Sequence, residues 1–218
     1  MDRGARDRAP KRSNVLILIV CAVPAELRGL AARDGVEVLA CGVGPIEAAA
    51  ETARMLALDR FDAVINAGIA GVFRGRGAIG DGIVVREERL ANLGLEGGAS
   101  LVLPDGAHLV DTVAASESLL ERCRDLPYRT GRGLTVTQVT TTDATAAAHA
   151  RAYDPDVESM EGFAVLRAAA IAGVPALEVR GISNYVGDRA KSEWDFRAGS
   201  TAAVAALEAI LMRLTAAV

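Results

Sequence analysis

A chain of 218 residues with 51% apolar content, 4% aromatics and 22 glycines is long enough to bury a sizeable core as one domain, and it is neither low-complexity nor fibrous. Its formal net charge of −4 excludes the broad basic surface that meets nucleic-acid phosphates. The two histidines, His108 and His149, lack partners at ligand spacing, so no metal site is expected, and no cofactor is called for.

Cys21, Cys41 and Cys123 are an odd set without C-x-x-C spacing, which reads as reduced thiols in a cytoplasmic protein. Residues 1–13 carry five basic and two acidic side chains without apolar periodicity, and read as a solvated, disordered leader to a single domain over 14–218. The run V-L-I-L-I-V-C that follows could pass for a signal peptide, but such a run also begins most parallel sheets; Asn14–Cys21 is taken as the first buried strand. No run approaches membrane-span length free of charge or turn residues, so no membrane partner is expected.

In chain order, a helix is expected from Pro24 to about Arg33, then strand Val36–Cys41 and a helix opened by Pro45 and reaching Leu58. Strand Ala63–Ala67 is expected to run into a glycine-dense loop, Gly68–Gly82, followed by strand Ile83–Val85. Ser116–Arg124 reads as helix, Leu134–Thr140 as strand and Thr142–Arg151 as helix. A short strand then breaks at Met160–Glu161 into a helix that stops at Gly173, with Pro175 beyond. Strand Ala176–Ile182 ends in a polar turn, Ser183-Asn184, and Arg197–Ala217 closes the chain as an amphipathic helix. This alternation predicts an α/β fold of three layers, α/β/α, around a mostly parallel, mixed sheet.

Polar residues cluster at two element ends, where ligands bind in α/β folds: Glu161 in a helix's first turn and Asn184 where a strand emerges. Gly42-x-Gly44 and Gly68-x-x-Gly71 follow strands, yet the first strand runs into Ala22-Val23-Pro24 with no G-x-G-x-x-G, and no Walker-type motif occurs. By themselves these glycines read as tight turns, Glu161 as a complement to a helix dipole and Asn184 as a turn residue.

Three stretches change that balance: N-A-G-I-A-G at Asn66–Gly71, S-M-E-G at Ser159–Gly162 and V-R-G-I-S-N-Y-V at Val179–Val186. On them the chain, from Asn14 on, resembles the purine nucleoside phosphorylase and nucleosidase superfamily. I-S-N-Y-V followed by R-x-x-S-x-W-D (Arg189–Asp195) is most similar to the futalosine hydrolases, which remove hypoxanthine from futalosine in an alternative route to menaquinone. The resemblance implies that Glu161 grips the ribose 2′- and 3′-hydroxyls with Met160 against the sugar, and that Gly44, Ile69, Ala70 and Ser183 line the substrate site. A carboxylate suits the diol because its lone pairs can accept both vicinal hydroxyl protons.

It also implies that Glu26, in the first turn after the first strand, positions the attacking water; an anion there stabilises the oxocarbenium-like sugar as well. Adenine-specific nucleosidases of the superfamily have Ser-Asp where this chain has Ser183-Asn184. An amide can donate to purine N7 and to a 6-oxo oxygen, so a 6-oxopurine fits Asn184 better than adenine, with the leaving base activated by hydrogen bonding.

Phosphorolysis would need basic and hydroxyl donors for a dianion. Ile69 stands where several phosphorylases have serine, and Arg28, Arg74 and Arg76 read as loop arginines, so water is the expected nucleophile. Three alternatives stay open: a 5′-methylthioadenosine/S-adenosylhomocysteine nucleosidase, a 6-oxopurine nucleoside phosphorylase, and a nucleoside-binding sensor without catalysis. The resemblance implies a homodimer or a larger ring of dimers, and Arg189 is a natural partner for the benzoate end of futalosine.

Overall fold

In the computed structural model, residues 15–95, 101–190 and 194–215 are described; the expected leader, 1–13, lies outside them. Eight strands form one mixed sheet: β1 (Ile17–Cys21), β2 (Val36–Ala40), β3 (Ala63–Val72), β4 (Gly82–Leu90), β5 (Thr112–Ala114), β6 (Arg129–Thr135), β7 (Val157–Ser159) and β8 (Ala176–Tyr185). Five helices cover it: α1 (Pro45–Leu58), α2 (Glu117–Arg122), α3 (Asp143–Tyr153), α4 (Gly162–Ala172) and α5 (Phe196–Thr215).

β1 lies between β2 and β3, parallel to both, and all five of its residues are buried. That is the buried-strand reading of V-L-I-L-I-V-C. Each fully buried aliphatic side chain there contributes roughly 1.5–3 kcal/mol of burial. α1 and α4 pack on one another, and α5 lies along β8 and β3. By length and composition α5 could cross a membrane, but Ala203, Ala206, Leu207, Ile210, Leu211 and Leu214, spaced by three or four, are buried. A side chain at Gly181 would collide with the backbone of Gly199, so paired glycines let α5 sit directly on β8.

The sheet also closes on itself. β3 pairs with β8 in parallel and with β7 antiparallel; β8 continues to β4, β4 to β6 and β6 back to β7. β3 shifts register against β8 between Ala70 and Gly71, where its last residues also meet β7 through Gly71–Glu158 and Val72–Val157. Three strand ends therefore converge at one place: Ala70-Gly71, Glu158-Ser159 and Ser183-Asn184.

Several element boundaries differ from expectation for identifiable reasons. The helix expected from Pro24 to Arg33 is one 3₁₀ turn, Pro24–Leu27; Arg28 is extended and Gly29 has φ +98°. The glycine-dense "loop" begins as strand, since β3 runs to Val72 and β4 already starts at Gly82. Gly68 and Gly71 do not turn the chain; they make room for neighbouring side chains. Ser183 and Asn184 are inside β8 rather than in a turn after it. Glu161 is the N-cap of α4, one position before its first turn. β6 runs Arg129–Thr135, so of the expected strand Leu134–Thr140 only Leu134 and Thr135 belong to it.

Candidate active site

Where the strand ends converge lies a cavity of about 260 Å³. Glu26, Ile69, Ala70, Met160, Glu161, Ser183 and Asn184 line it together, although they come from four separate parts of the sequence. Gly44 is not in the wall, but its backbone N–H donates to Glu161 Oε1 at 2.9 Å. The sequence reading did not single out other residues of the wall, among them Val136 and Val139 after β6, Glu158 from β7, Trp194 just before α5 and Phe196 at its start.

Glu26 is 4% exposed. Its Oε2 accepts from the amides of Ala22 (3.0 Å) and Val23 (3.2 Å), and its Oε1 accepts from Ile69 (3.0 Å). The short turn after β1 thus folds the carboxylate back across β1 and β3. Three backbone donors fix the carboxylate in orientation.

Glu161 faces Glu26 across the guanidinium of Arg180. Its Oε2 lies 3.9 Å from Arg180 Nη1. Burial pushes the Glu161 carboxyl above its ordinary range, against the opposing pull of Arg180 and the Gly44 amide. With one oxygen bonded to Gly44 and the other held loosely, it keeps lone pairs for the hydroxyls of a ligand.

Arg180 is the main residue the sequence reading overlooked. It is 1% exposed, and its Nε donates to Glu178 Oε1 at 2.7 Å. Nη1 reaches the Ile69 carbonyl at 3.4 Å. Nη2 lies 2.6 Å from the Asn66 side-chain oxygen, whose amide in turn donates to the Val20 carbonyl at 3.1 Å. Burial alone would lower its pKa, but Glu178, Glu161 and Glu26 together hold it charged, above its usual value. Glu178 and Arg180, two apart in a strand, share one face, and two charges inside an otherwise apolar run were the available signal. Gly68 completes the arrangement: a Cβ there would stand 2.7 Å from Glu26 Oε1 and 2.8 Å from Arg180 Nη1.

At the opposite wall, Ser183 Oγ donates to Asn184 Oδ1 at 2.7 Å, and Asn184 Nδ2 donates to the Tyr185 carbonyl at 3.2 Å. The amide is thereby fixed with a second N–H to spare. Glu158, the third carboxylate of the wall, accepts from Thr140 N (2.9 Å) and Thr140 Oγ1 (2.5 Å), which ties the segment after β6 to β7.

Among the described residues no lysine or arginine lines the wall. Arg76 pairs with Asp154, Arg74 stacks 5.2 Å from the Tyr185 ring, and Arg28 is exposed. Among the described residues no group of His, Cys, Asp and Glu could hold a metal ion. Burial pushes the Cys21 thiol up to about 12 and that of Cys41 up to about 11, so neither is poised as a nucleophile.

A ring-closed mixed sheet carrying this carboxylate-lined cleft is the architecture of a known class. The sequence model of the phosphorylase superfamily matches residues 27–216. A 5′-methylthioadenosine/S-adenosylhomocysteine nucleosidase of Colwellia psychrerythraea, solved with adenine, superposes with a TM-score of 0.79 at 20% identity over 94% of this chain and 98% of its own. The native futalosine hydrolase of Helicobacter pylori gives 0.77 at 17% identity over 90% and 97%. At these identities the likeness is one of fold.

The sequence relatives are nearer. Futalosine hydrolase of Streptomyces coelicolor is 38% identical over 169 residues, 74% of this chain and 72% of its own length. That of Thermus thermophilus is 33% identical over 179 residues, 79% and 80% of the two chains. The chain belongs to the futalosine hydrolase family of the phosphorylase superfamily.

Proposed function

We propose that this chain is an N-glycosyl hydrolase that cleaves futalosine into hypoxanthine and the dehypoxanthinyl sugar, a step of menaquinone synthesis by the futalosine route. The observation that carries the reading is Glu26, held by three backbone amides in a cleft that also contains Glu161 and Asn184.

That geometry supports the following roles. Cleavage of an N-riboside develops positive charge on the sugar, and the nearby carboxylates of Glu26 and Glu161 stabilise it. Glu161 accepts the 2′- and 3′-hydroxyl protons, with Met160 packed on the sugar. Glu26 orients the attacking water and takes up its proton as the bond to C1′ forms. The spare N–H of Asn184, kept in orientation by Ser183, donates to the departing 6-oxopurine. Ile69 and Ala70 form the apolar floor.

Three carboxylates in the described wall, Glu26, Glu158 and Glu161, would repel a dianion, which favours water over phosphate as the nucleophile. Arg189, stacked 5.0 Å from the ring of the wall residue Trp194, is the cation for the carboxylate end of the substrate. We further infer a cytoplasmic homo-oligomer in which a second copy covers Val43 and Ile46; they are 58% and 78% exposed, and Val43 is in the cavity wall.

Base release from futalosine, inosine and methylthioadenosine, each with and without phosphate, tests the reading. Hypoxanthine from futalosine at a rate indifferent to phosphate is the expected result. Phosphate-dependent release from inosine would leave the fold and overturn the function.

A further inference from the structure

Beneath the cleft, Arg180 faces more carboxyl groups than one cation can neutralise: Glu26 and Glu161 on the cleft side, Glu178 on the inner side, and Glu88 of β4 behind Glu178. Glu88 and Glu178 expose no surface at all. Thr135 Oγ1 donates to Glu88 Oε2 at 2.7 Å while accepting from the Phe163 amide at 2.7 Å, and Arg180 Nε satisfies Glu178 Oε1.

The other two oxygens, Glu88 Oε1 and Glu178 Oε2, are buried without a donor. They converge on one point: a Cβ on Gly162 would lie 2.5 Å from the first and 2.6 Å from the second. Gly133 likewise leaves its Cβ position to the Glu88 carboxyl. Two buried acceptors facing each other in a pocket lined by glycines repel one another, and a proton between them removes that repulsion.

We infer that Glu88 and Glu178 share one proton, carried by Glu88 and donated to Glu178, and that this acid–carboxylate pair positions the Arg180 guanidinium behind Glu161. Glu88 is then a positioning residue, acting through Glu178 and Arg180. The contacts of the guanidinium fit this arrangement: with Glu88 neutral, Glu178 anchors Arg180 at Nε and leaves Nη1 and Nη2 to Glu161, the Ile69 carbonyl and Asn66.

Burial pushes the Glu88 carboxyl well above the usual glutamate range, and the neighbouring Glu178 charge pushes it the same way; the Thr135 hydroxyl and Arg180 act against both. The groups that face Glu88 are Thr135 from β6, and Glu178 and Arg180 from β8, with Glu161 and Glu26 beyond the guanidinium. From α4 only the backbone of Gly162 and Phe163 approaches. Loss of the shared proton sets two anions against each other and draws Arg180 inward, away from Glu161.

This inference rests on the proposed role of Glu161, so its test includes a measurement that needs no substrate. Glu88→Gln, Glu88→Leu and the unaltered full-length chain are compared. An acid whose folded pKa is raised contributes its full share of stability below the unfolded pKa and loses it as pH rises toward the folded value. A glutamine has no proton to lose. The unfolding temperature of Glu88→Gln minus that of the wild type is therefore expected to grow as pH climbs above the ordinary glutamate range, and the infrared band of a buried carboxylic acid is expected to vanish in the variant.

In kinetics, Glu88→Leu is expected to lower kcat/KM by about 10–100-fold, as loss of a supporting hydrogen-bond partner does at other sites. Glu88→Gln, which can accept from Thr135 and donate to Glu178, restores most of it and removes an alkaline limb from the pH profile. A pH-independent difference in unfolding temperature overturns the shared proton. Equal activity of Glu88→Leu and Glu88→Gln overturns the positioning role. Inactivity of the wild type on futalosine would instead sink the proposed function, while the substrate-free data still judge the pair.

Discussion

The backbone amide of Gly44 and the Glu161 carboxylate, 117 residues apart in sequence, meet at 2.9 Å. Gly44 has φ +97°, a conformation that aims its N–H away from α1 and toward the N-cap of α4. The turn after β2 and the start of α4 are therefore one unit in the cleft.

Replacing Gly44 by alanine tests that unit. A Cβ there meets nothing within 4 Å, so the change does not clash, but a backbone with φ +97° and ψ 163° costs an L-residue roughly 1–3 kcal/mol. The turn is expected to relax and withdraw its N–H from Glu161. KM should rise about tenfold with kcat much less affected, which steady-state kinetics on futalosine would read.

Glu161→Gln removes the charge and leaves the shape. We expect kcat/KM to fall by about 10²–10³, the usual cost of deleting a group that stabilises transition-state charge. The pH profile carries a sharper signature. Burial raises the Glu161 carboxyl, so its ionised form is complete only above the ordinary glutamate range, and the acid limb of wild-type kcat/KM should be displaced upward accordingly. An acid limb that persists unmoved in Glu161→Gln would assign it to another group.

For Glu26→Ala, binding and turnover should separate. Calorimetric affinity for hypoxanthine is expected to stay near wild type, with kcat down by about 10³. The variant also strands the amides of Ala22, Val23 and Ile69, each a loss of about 1–3 kcal/mol if water does not reach it, so thermal stability should drop as well. Unchanged turnover would remove Glu26 from the reaction.

Asn184→Asp is a test of base choice. An aspartate at this position can accept from a 6-amino group, and as an acid it can donate to N7. The ratio of kcat/KM for futalosine to that for methylthioadenosine is expected to fall by more than about tenfold. A ratio that does not move would make Asn184 a structural member of β8.

The parts of this site that could be read in the sequence are those whose signal is local. Pro45 and Gly173 bracket their helices by backbone preference, and both boundaries are found where punctuation puts them. Glu161 and Asn184 stood out within short motifs, and the cavity brings both into its wall. What escaped depends on packing between distant segments. Gly68 and Gly71 resemble loop glycines until Glu26, Arg180 and Asn184 are seen filling the space their missing side chains leave. Pro24–Leu27 reads as the start of a helix, but Gly29 ends it after one turn and Glu26 bonds backward to the chain instead. Arg180 was visible as a charge in a buried strand, yet Glu88, 92 residues earlier, can be identified as its remote partner only once β4 lies beside β8.

The strand ring has a consequence for how this protein opens. β3, β8, β4, β6 and β7 each have paired neighbours on both sides, and only β2 and β5 are edges among the described residues. The cleft is thus built on the segments least able to fray. Amide protons of β3 and β8 should exchange with deuterium only through global opening, while those of β2 and β5 escape by local fluctuation. Most enzymes draw mobile loops into their centres; here the floor of the cleft would be the last part of the molecule to lose its memory of the fold.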